Sequence, residues 1–243
     1  MINKVKVRLS RLSQGFFYFF VWMTFYLLAC LFVKIKLEGR ENIPKRGRFI
    51  VSGNHQNFFD GYLLAYVSGP FKKINFMIAK RALNRRFWVI LARLIGSALI
   101  GNDIEEYQKA VKKLNNVLSH GGAVGIFPEG DVSSRKIPRK FKGGVAKLSL
   151  DSKTKVIPVY ISGTYNLRYL KYLLQRPEIL IKIGKPVELY NYAGVCRNNL
   201  DEMASILREK VIELMEVKME VKEASELKIH EQIPDSREPV ISY

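Results

Sequence analysis

His55 is the residue of this chain best placed to move a proton. It lies in SGNHQNFFDGY, just past a short apolar run and just before a helix-like segment. Open α/β sheets often carry their chemistry at such strand-to-helix turns. Asp60 follows five residues later. On one continuous helix that spacing would not align two groups, because facing neighbours lie three or four apart. With the histidine in a turn and the aspartate in the first turn of the next helix, the carboxylate reaches back to the imidazole Nδ1–H. Nε2 is then left free as a base. Capping and turn duties are the competing use of the same pair. His120 precedes two glycines at a helix end, a common capping choice, and His230 sits in a charged tail. GxSxG is absent and neither cysteine lies in a polar turn. His55 therefore reads as a general base acting on a substrate hydroxyl, which predicts direct transfer without a covalent enzyme intermediate.

A second cluster is IFPEGDVSSRKIPRKFKGG, Ile126 to Gly144. A buried strand ends near Phe127 and Pro128, and Glu129 and Gly130 turn into a loop. That loop carries Arg135, Lys136, Arg139, Lys140 and Lys142. Glycine lets backbone approach a ligand closely, and Arg and Lys hold phosphate through charge-assisted hydrogen bonds. A solvated basic loop is the competing reading. No GxxxxGK[ST] occurs, which argues against a nucleotide P-loop.

The elements that must position these residues alternate between strand-like and helix-like runs. Strands are expected at Val33 to Gly39, Arg48 to Asn54, Ile74 to Ala79, Ser97 to Gly101, Gly122 to Phe127, Val156 to Gly163 and Ile179 to Gly184. Helices are expected at Phe58 to Val67, Phe87 to Ile95, from Asp103 to Ser119, Gly144 to Asp151 and Asn199 to about Val217. Asp103 is an N-cap followed by Glu105 and Glu106 in the first turn. The alternation predicts an α/β fold, a single mixed-sheet domain with flanking helices. The expected division is residues 1–33 as a basic and apolar helical membrane anchor, 34–217 as the α/β domain, and 218–243 as a charged C-terminal helix and tail.

Forty Lys and Arg against 22 Asp and Glu give a net charge of +18 over 243 residues. Such a chain accumulates at a polyanion, either nucleic acid or an anionic membrane face. The N-terminus decides for the membrane. GFFYFFVWMTFYLLACLFV, Gly15 to Val33, has no charge, and as a helix it would be about 28 Å long, close to the ~30 Å hydrocarbon thickness. Basic residues flank it on both sides: Lys4, Lys6, Arg8 and Arg11 before, Lys34, Lys36 and Arg40 after. A cleaved leader is disfavoured, since Lys34 and Lys36 rather than a small-residue cleavage site follow. Positive residues at both ends favour a two-helix anchor that enters and leaves on one side over a full span. Cys30 and Cys196 form no CxxC or Cys/His cluster, so neither a zinc site nor a disulfide framework is expected.

NHQNFFD (Asn54 to Asp60), followed some 65 residues on by IFPEG (Ile126 to Gly130), resembles the glycerolipid acyltransferase family with its HX4D motif. VIPVYISG with Pro158 is similar to the family's fourth block, and Ala79 Lys80 through Gly96 to Ile100 to its second. Two positions depart. The third block usually runs EGTRS, whereas here the arginine arrives late, at Arg135; Asn102 stands about where the second block usually ends in Arg. The resemblance implies a 1-acylglycerol-3-phosphate acyltransferase activity that forms phosphatidic acid. It implies His55 and Asp60 as catalytic, and Lys80, Phe127, Pro128, Glu129, Gly130, Arg135 and Lys142 as substrate-binding residues. Glu129 is expected to hold the basic loop rather than do chemistry, and backbone N–H groups near Gly130 or a nearby Lys to meet the oxyanion. The donor would be acyl-CoA or acyl carrier protein, the acceptor lysophosphatidic acid, with no cofactor, metal or nucleic acid. Anionic membrane lipids would be partners at the cytoplasmic face of the cell inner membrane. Phe58, Phe59 and Trp88 could line an acyl groove or pack as core. Another lysophospholipid or glycerol-3-phosphate as acceptor, and a non-catalytic module for anionic lipid, are the alternatives.

Overall fold

The computed structural model describes residues 2–83, 86–101, 103–133, 135, 137–168 and 175–231. Asn102 lies outside the described residues, as do the side chains of Trp88 and His230. Seven strands form one sheet in the order β1-β7-β6-β2-β5-β3-β4: β1 Lys34–Glu38, β2 Phe49–Gly53, β3 Ile74–Ala79, β4 Ala98–Ile100, β5 Ala123–Ile126, β6 Val156–Ser162 and β7 Glu178–Ile183. β6 and β7 pair antiparallel and every other neighbouring pair is parallel, so the sheet is mixed as expected.

The central strands are apolar along their length because both faces are covered. β2 shows how. Phe49 and Val51 enter the core on one side of the sheet and Ile50 enters the core on the other, the two-residue period of a strand. Helices α4 (Ile104–Ser119), α5 (Gly144–Ser152) and α6 (Leu200–Glu231) cover the face that receives Ile50. Helices α1 (Ile2–Phe32) and α2 (Asp60–Ser68) cover the other. One residue type matters at its end: a Cβ at Gly53 would overlap the Val159 carbonyl oxygen of β6, so only glycine lets β2 end this close to its neighbour. The short helix α3 (Arg86–Leu94) leads into β4.

The N-terminal element differs from expectation. The anchor expected as two helices is one helix of 31 residues, α1. Nothing between Leu12 and Gly15 breaks it: no proline occurs there, and a single interior glycine costs a helix only about 1 kcal/mol. Its segment Gly15–Phe32 is long and apolar enough to cross a membrane, with a mean hydropathy of 1.9. At the other end α6 runs on past Val217 to Glu231 without interruption.

α1 is also tied to the domain. Trp22 Nε1 donates to the Ala65 carbonyl at 3.0 Å, and the Tyr18 hydroxyl to the Lys72 carbonyl at 3.4 Å. Phe25 stacks on Tyr62 with ring centroids 3.7 Å apart, and Phe19 on Phe71 at 5.9 Å. The opposite side of α1, with Phe16, Phe20, Leu27 and Leu31, is exposed.

Candidate active site

Parallel pairing brings the chemistry together. Ser52 of β2 is in register with Ile126 of β5. Three residues beyond each lie His55 and Glu129, and the His55 N–H donates to Glu129 Oε1 at 2.9 Å. The Ser133 N–H returns a bond to the His55 carbonyl at 2.7 Å. The backbone of His55 is thus clamped on both sides by the loop that follows β5. β3, on the far side of β5, ends at Ala79 and delivers Lys80 and Arg81 to the same edge.

His55 Nδ1 lies 3.0 Å from Asp60 Oδ2. The same oxygen accepts the Gln56 N–H at 2.6 Å and the Asn57 N–H at 2.8 Å. Three donors on one fully buried oxygen suit an ionised carboxylate, and Asp60 is also the first residue of α2, where negative charge is favoured. With Nδ1 as donor to Asp60, Nε2 is the free nitrogen. The imidazole stacks on Phe127 with centroids 4.1 Å apart and planes 11° from parallel, and its side chain keeps 17% exposure. The ring is fixed in two directions yet reachable from solvent.

Two asparagines in the same motif do work that spacing alone did not suggest. Asn54 is buried beyond the end of β2. Its Nδ2 donates to the Ile161 carbonyl and its Oδ1 accepts the Ile161 N–H, both at 2.8 Å. The side chain thereby continues the strand pairing with β6 after the backbone has turned away. Asn57 Nδ2 donates to the Thr164 carbonyl at 3.0 Å. Buried amides of this kind are satisfied or costly. The signal was the paired Asn on either side of His55, but their partners lie 107 residues on.

Two cavities meet at this edge. The larger, about 1060 Å³, is lined chiefly by apolar side chains, among them Trp22, Phe25 and Phe32 of α1, Phe58, Phe59 and Tyr62 at α2, and Phe127; His55 opens into it. Burial pushes the Tyr62 hydroxyl up to about 12, so it faces this cavity as a neutral group. The smaller, about 940 Å³, is lined by Arg81, Arg135, Arg139, Lys140, Lys142 and Arg208 against only two acidic side chains, Glu129 and Asp131. Arg81 and Lys142 line both.

The expected binding residues separate accordingly. Phe127, Pro128, Gly130 and Lys142 lie with His55 on the first cavity. Gly130 has a positive φ of 75°, and Lys142 crosses over it. Glu129 is buried and faces the second cavity: Oε1 takes the His55 N–H, Oε2 takes the Arg139 N–H at 3.1 Å, and the Arg139 guanidinium lies 3.5 Å away. Arg135 lines only the second cavity. Lys80 is paired with Glu106 of α4 and lines neither. The Gly130 N–H is engaged by the Phe127 carbonyl at 3.1 Å, which removes it as an oxyanion donor. Arg81, which the sequence did not single out, donates to the Gly130 carbonyl at 3.2 Å and lies 3.5 Å from Asp131. Its signal was adjacency to Lys80 in a doubly basic turn. Among the described residues no group of three His, Cys, Asp or Glu side chains could hold a metal ion.

The chain is similar to known proteins in sequence and in fold. The Acyltransferase family model matches residues 34–162, more than half of the chain and the stretch that holds His55, Asp60 and Glu129. A 1-acyl-sn-glycerol-3-phosphate acyltransferase of Borreliella burgdorferi is 28% identical over 189 residues, covering 76% of this chain and 72% of that protein. A protein of the same name from Saccharomyces cerevisiae is also 28% identical over 189 residues; the match covers 74% of this chain and 59% of that longer protein. The crystal structure of the 1-acyl-sn-glycerophosphate (LPA) acyltransferase PlsC from Thermotoga maritima shares the fold, with a TM-score of 0.58 at 24% identity, covering 77% of this chain and 75% of that one. By the extent of the family match and the imidazole–carboxylate pair within it, this chain belongs to the acyltransferase family.

Proposed function

We propose that the chain transfers a fatty acyl group from an acyl thioester to the 2-hydroxyl of 1-acylglycerol-3-phosphate, giving phosphatidic acid. The observation that carries this reading is the position of the His55–Asp60 pair, bonded at 3.0 Å, where an apolar cavity meets a cationic one. An acceptor with one acyl chain, one hydroxyl and one phosphate has those three parts in that order. The names of the relatives support the choice of acceptor.

In this scheme His55 Nε2 takes the hydroxyl proton as the oxygen attacks the thioester carbonyl carbon. The C–O bond forms, the C–S bond breaks, and the imidazolium returns its proton to the departing thiolate. Asp60 stabilises the imidazolium while it exists. The acceptor phosphate sits on the shared rim, held by Lys142 and Arg81, and its acyl chain lies in the apolar cavity. Glu129 ties the base to the cationic loop and takes no proton. General-base assistance of this kind contributes about 10² to 10⁴-fold, the remainder coming from positioning.

Residues 1–33 serve as the anchor and 34–217 as the catalytic domain. The aromatic stacking of α1 on α2 supports an α1 that lies at the bilayer surface with its exposed apolar side in lipid, rather than one standing clear of the domain. The basic surface then faces the anionic leaflet, adding about 1 kcal/mol per well-placed cation. The test is an acyl-transfer assay with labelled acyl-CoA and acyl carrier protein, offered lysophosphatidic acid, other lysophospholipids and glycerol-3-phosphate. Turnover on lysophosphatidic acid that disappears in His55→Ala supports the reading. Equal turnover in that variant, or transfer only to a different acceptor, refutes it.

A further inference from the structure

A separate group of cations lies at the opposite end of the sheet from His55. Lys73 immediately precedes β3, whose six residues carry the chain about 20 Å to the catalytic edge. The phosphate of an acceptor whose hydroxyl is at His55 cannot reach that far. Lys73, Arg93 and Lys113 line neither of the two cavities at the active site. They come from three elements and meet at the turn Gly96–Ser97 between α3 and β4. A Cβ at Gly96 would lie 2.9 Å from Lys73 Nζ, so the amine sits over this turn. Lys113 Nζ, from α4, donates to the Ser97 carbonyl at 2.6 Å. Arg93 is in the last turn of α3, and its carbonyl accepts the Gly96 N–H at 2.9 Å.

Among the described residues neither Arg93 nor Lys113 pairs with a carboxylate. One turn from Lys113 on α4 stand Lys109 and Asn116, and one turn before Arg93 on α3 stand Val89 and Ile90. Partial burial holds the Lys73 amine below the ordinary lysine range, and the Lys113 charge lowers it further. Partial burial acts on Lys113 in the same way, with Arg93 adding to it. Each cation thus makes its neighbour more costly, and a bound anion relieves that cost. The surroundings are apolar and open. Phe71, two residues before Lys73, is 91% exposed, and its stack on Phe19 makes it continuous with the exposed Phe16 and Phe20 of α1. Ile90 is 56% exposed and shares a side of α3 with Arg86 and Arg93. A nucleic acid has no apolar phase to receive Phe71 and Ile90. A bilayer has one, with phosphates at its boundary.

We infer that Lys73, Arg93 and Lys113 form a binding site for the phosphate headgroup of an anionic bilayer lipid, beside the membrane face of α1 and apart from the catalytic edge. The inference rests on the membrane reading of α1 above and not on the acyl-transfer chemistry. Phe71 and Ile90 enter the apolar layer next to that lipid, and the three cations meet its phosphate through charge-assisted hydrogen bonds. A lipid held there pins the far end of the domain to the leaflet, so the cavity beside His55 keeps one orientation to the same leaflet. Cations gathered at one turn differ in this from the diffuse attraction of a basic surface, which fixes no orientation.

The experiment is sedimentation of the full chain with vesicles of phosphatidylcholine alone and of phosphatidylcholine with phosphatidylglycerol. The native protein is compared with Arg93→Gln, with Arg93→Gln/Lys113→Gln, and with a charge-matched control, Lys185→Gln/Arg197→Asn, whose cations are exposed and outside the cluster. Asparagine suits the positive φ of 45° at residue 197. Loss of one cluster cation should weaken binding to the anionic vesicles about fivefold, and loss of two about tenfold or more, with binding to phosphatidylcholine unmoved. The control should change it by less than about twofold. Circular dichroism melts check that each variant is folded, and Arg93→Gln, at an exposed position, carries the result if the double variant does not fold. Inorganic phosphate at matched ionic strength should leave the native protein on the vesicles, because it brings no acyl chains to lie beside Phe71 and Ile90. Release by inorganic phosphate makes this a site for soluble phosphate and overturns the inference. Native-like binding by Arg93→Gln, or an equal loss in the control, overturns it as well. Equal native binding to both vesicles overturns it and leaves α1 standing as the anchor. A native protein that binds neither vesicle sinks the anchor and this inference together.

Discussion

The two sides of the site are built in opposite ways. On the polar side, the part-buried His55 and the buried Asp60 and Glu129 are held by short hydrogen bonds, and the backbone of His55 is bonded at both its N–H and its carbonyl. On the apolar side, the wall is a separate element, α1, laid on α2 by aromatic stacking and the Trp22 bond to Ala65, with a second bond from Tyr18 to Lys72 beyond that helix. Directional bonds fix position to a few tenths of an ångström, as proton transfer requires. Stacked rings tolerate sliding, as the proposed role of this cavity in admitting flexible acyl chains requires. The contrast sets a firmly bonded imidazole beside an apolar wall held by looser contacts.

The most severe way to break the polar side alone is His55→Ala. Turnover should fall by about 10² to 10⁴-fold, while sedimentation with anionic vesicles stays as in the native protein, because the proposed anchor is untouched. Asp60→Asn should follow it closely, since the carboxylate orients and charges the pair. Loss of vesicle binding in either variant would show that the two sides are not separable.

Glu129→Ala attacks the joint between base and cationic loop. It leaves the His55 and Arg139 N–H groups without their acceptor, a cost of about 1–3 kcal/mol for each buried group left unsatisfied. A lower melting temperature should accompany a fall in kcat together with a rise in acceptor KM. Glu129→Gln, which keeps one acceptor oxygen, should recover part of both. A change in kcat with KM intact would limit Glu129 to the His55 side.

Phe25→Ala tests the apolar side. Removing the stack on Tyr62 should cost about 0.5–1.5 kcal/mol beyond the lost burial. Activity on long-chain substrates should fall more than on short-chain ones, measured as the ratio of kcat/KM values. An equal fall on both would mean that α1 supports the fold and not the chain-binding wall. The smallest expected effect is that of Lys80→Ala. Its partner Glu106 lies on α4 and the pair is part-exposed, so about 0.2–1 kcal/mol of stability is at stake. A large rise in acceptor KM in this variant would return Lys80 to the phosphate grip and displace Arg81.

Much of this arrangement was legible in the residues. The strand and helix runs fall where the apolar periods place them, because each period is set by local backbone geometry. The His55–Asp60 pair was legible for the same reason: five residues across one strand-to-helix turn is a local relation. The pairing of Asn54 with Ile161, of His55 with Glu129 and of Arg208 with the basic loop was not, since each joins residues 69 or more apart. Arg81 and Lys80 were indistinguishable as neighbours in a basic turn. Only the position of α4 separates them, by engaging Lys80 through Glu106. The continuous α1 was misread because charge on both flanks speaks about membrane sidedness and not about where a helix breaks.

The sequence by itself determined which segments are strands and helices, that one end carries a long uncharged apolar run, and that an imidazole and a carboxylate face each other across a turn, because all of these follow from neighbours within a few residues. The tertiary structure decided that β2 lies between β5 and β6, and hence that the base, its clamp and the cationic loop share one edge. Strand order is set by how whole faces bury against one another, and that sum over distant residues has no local signature.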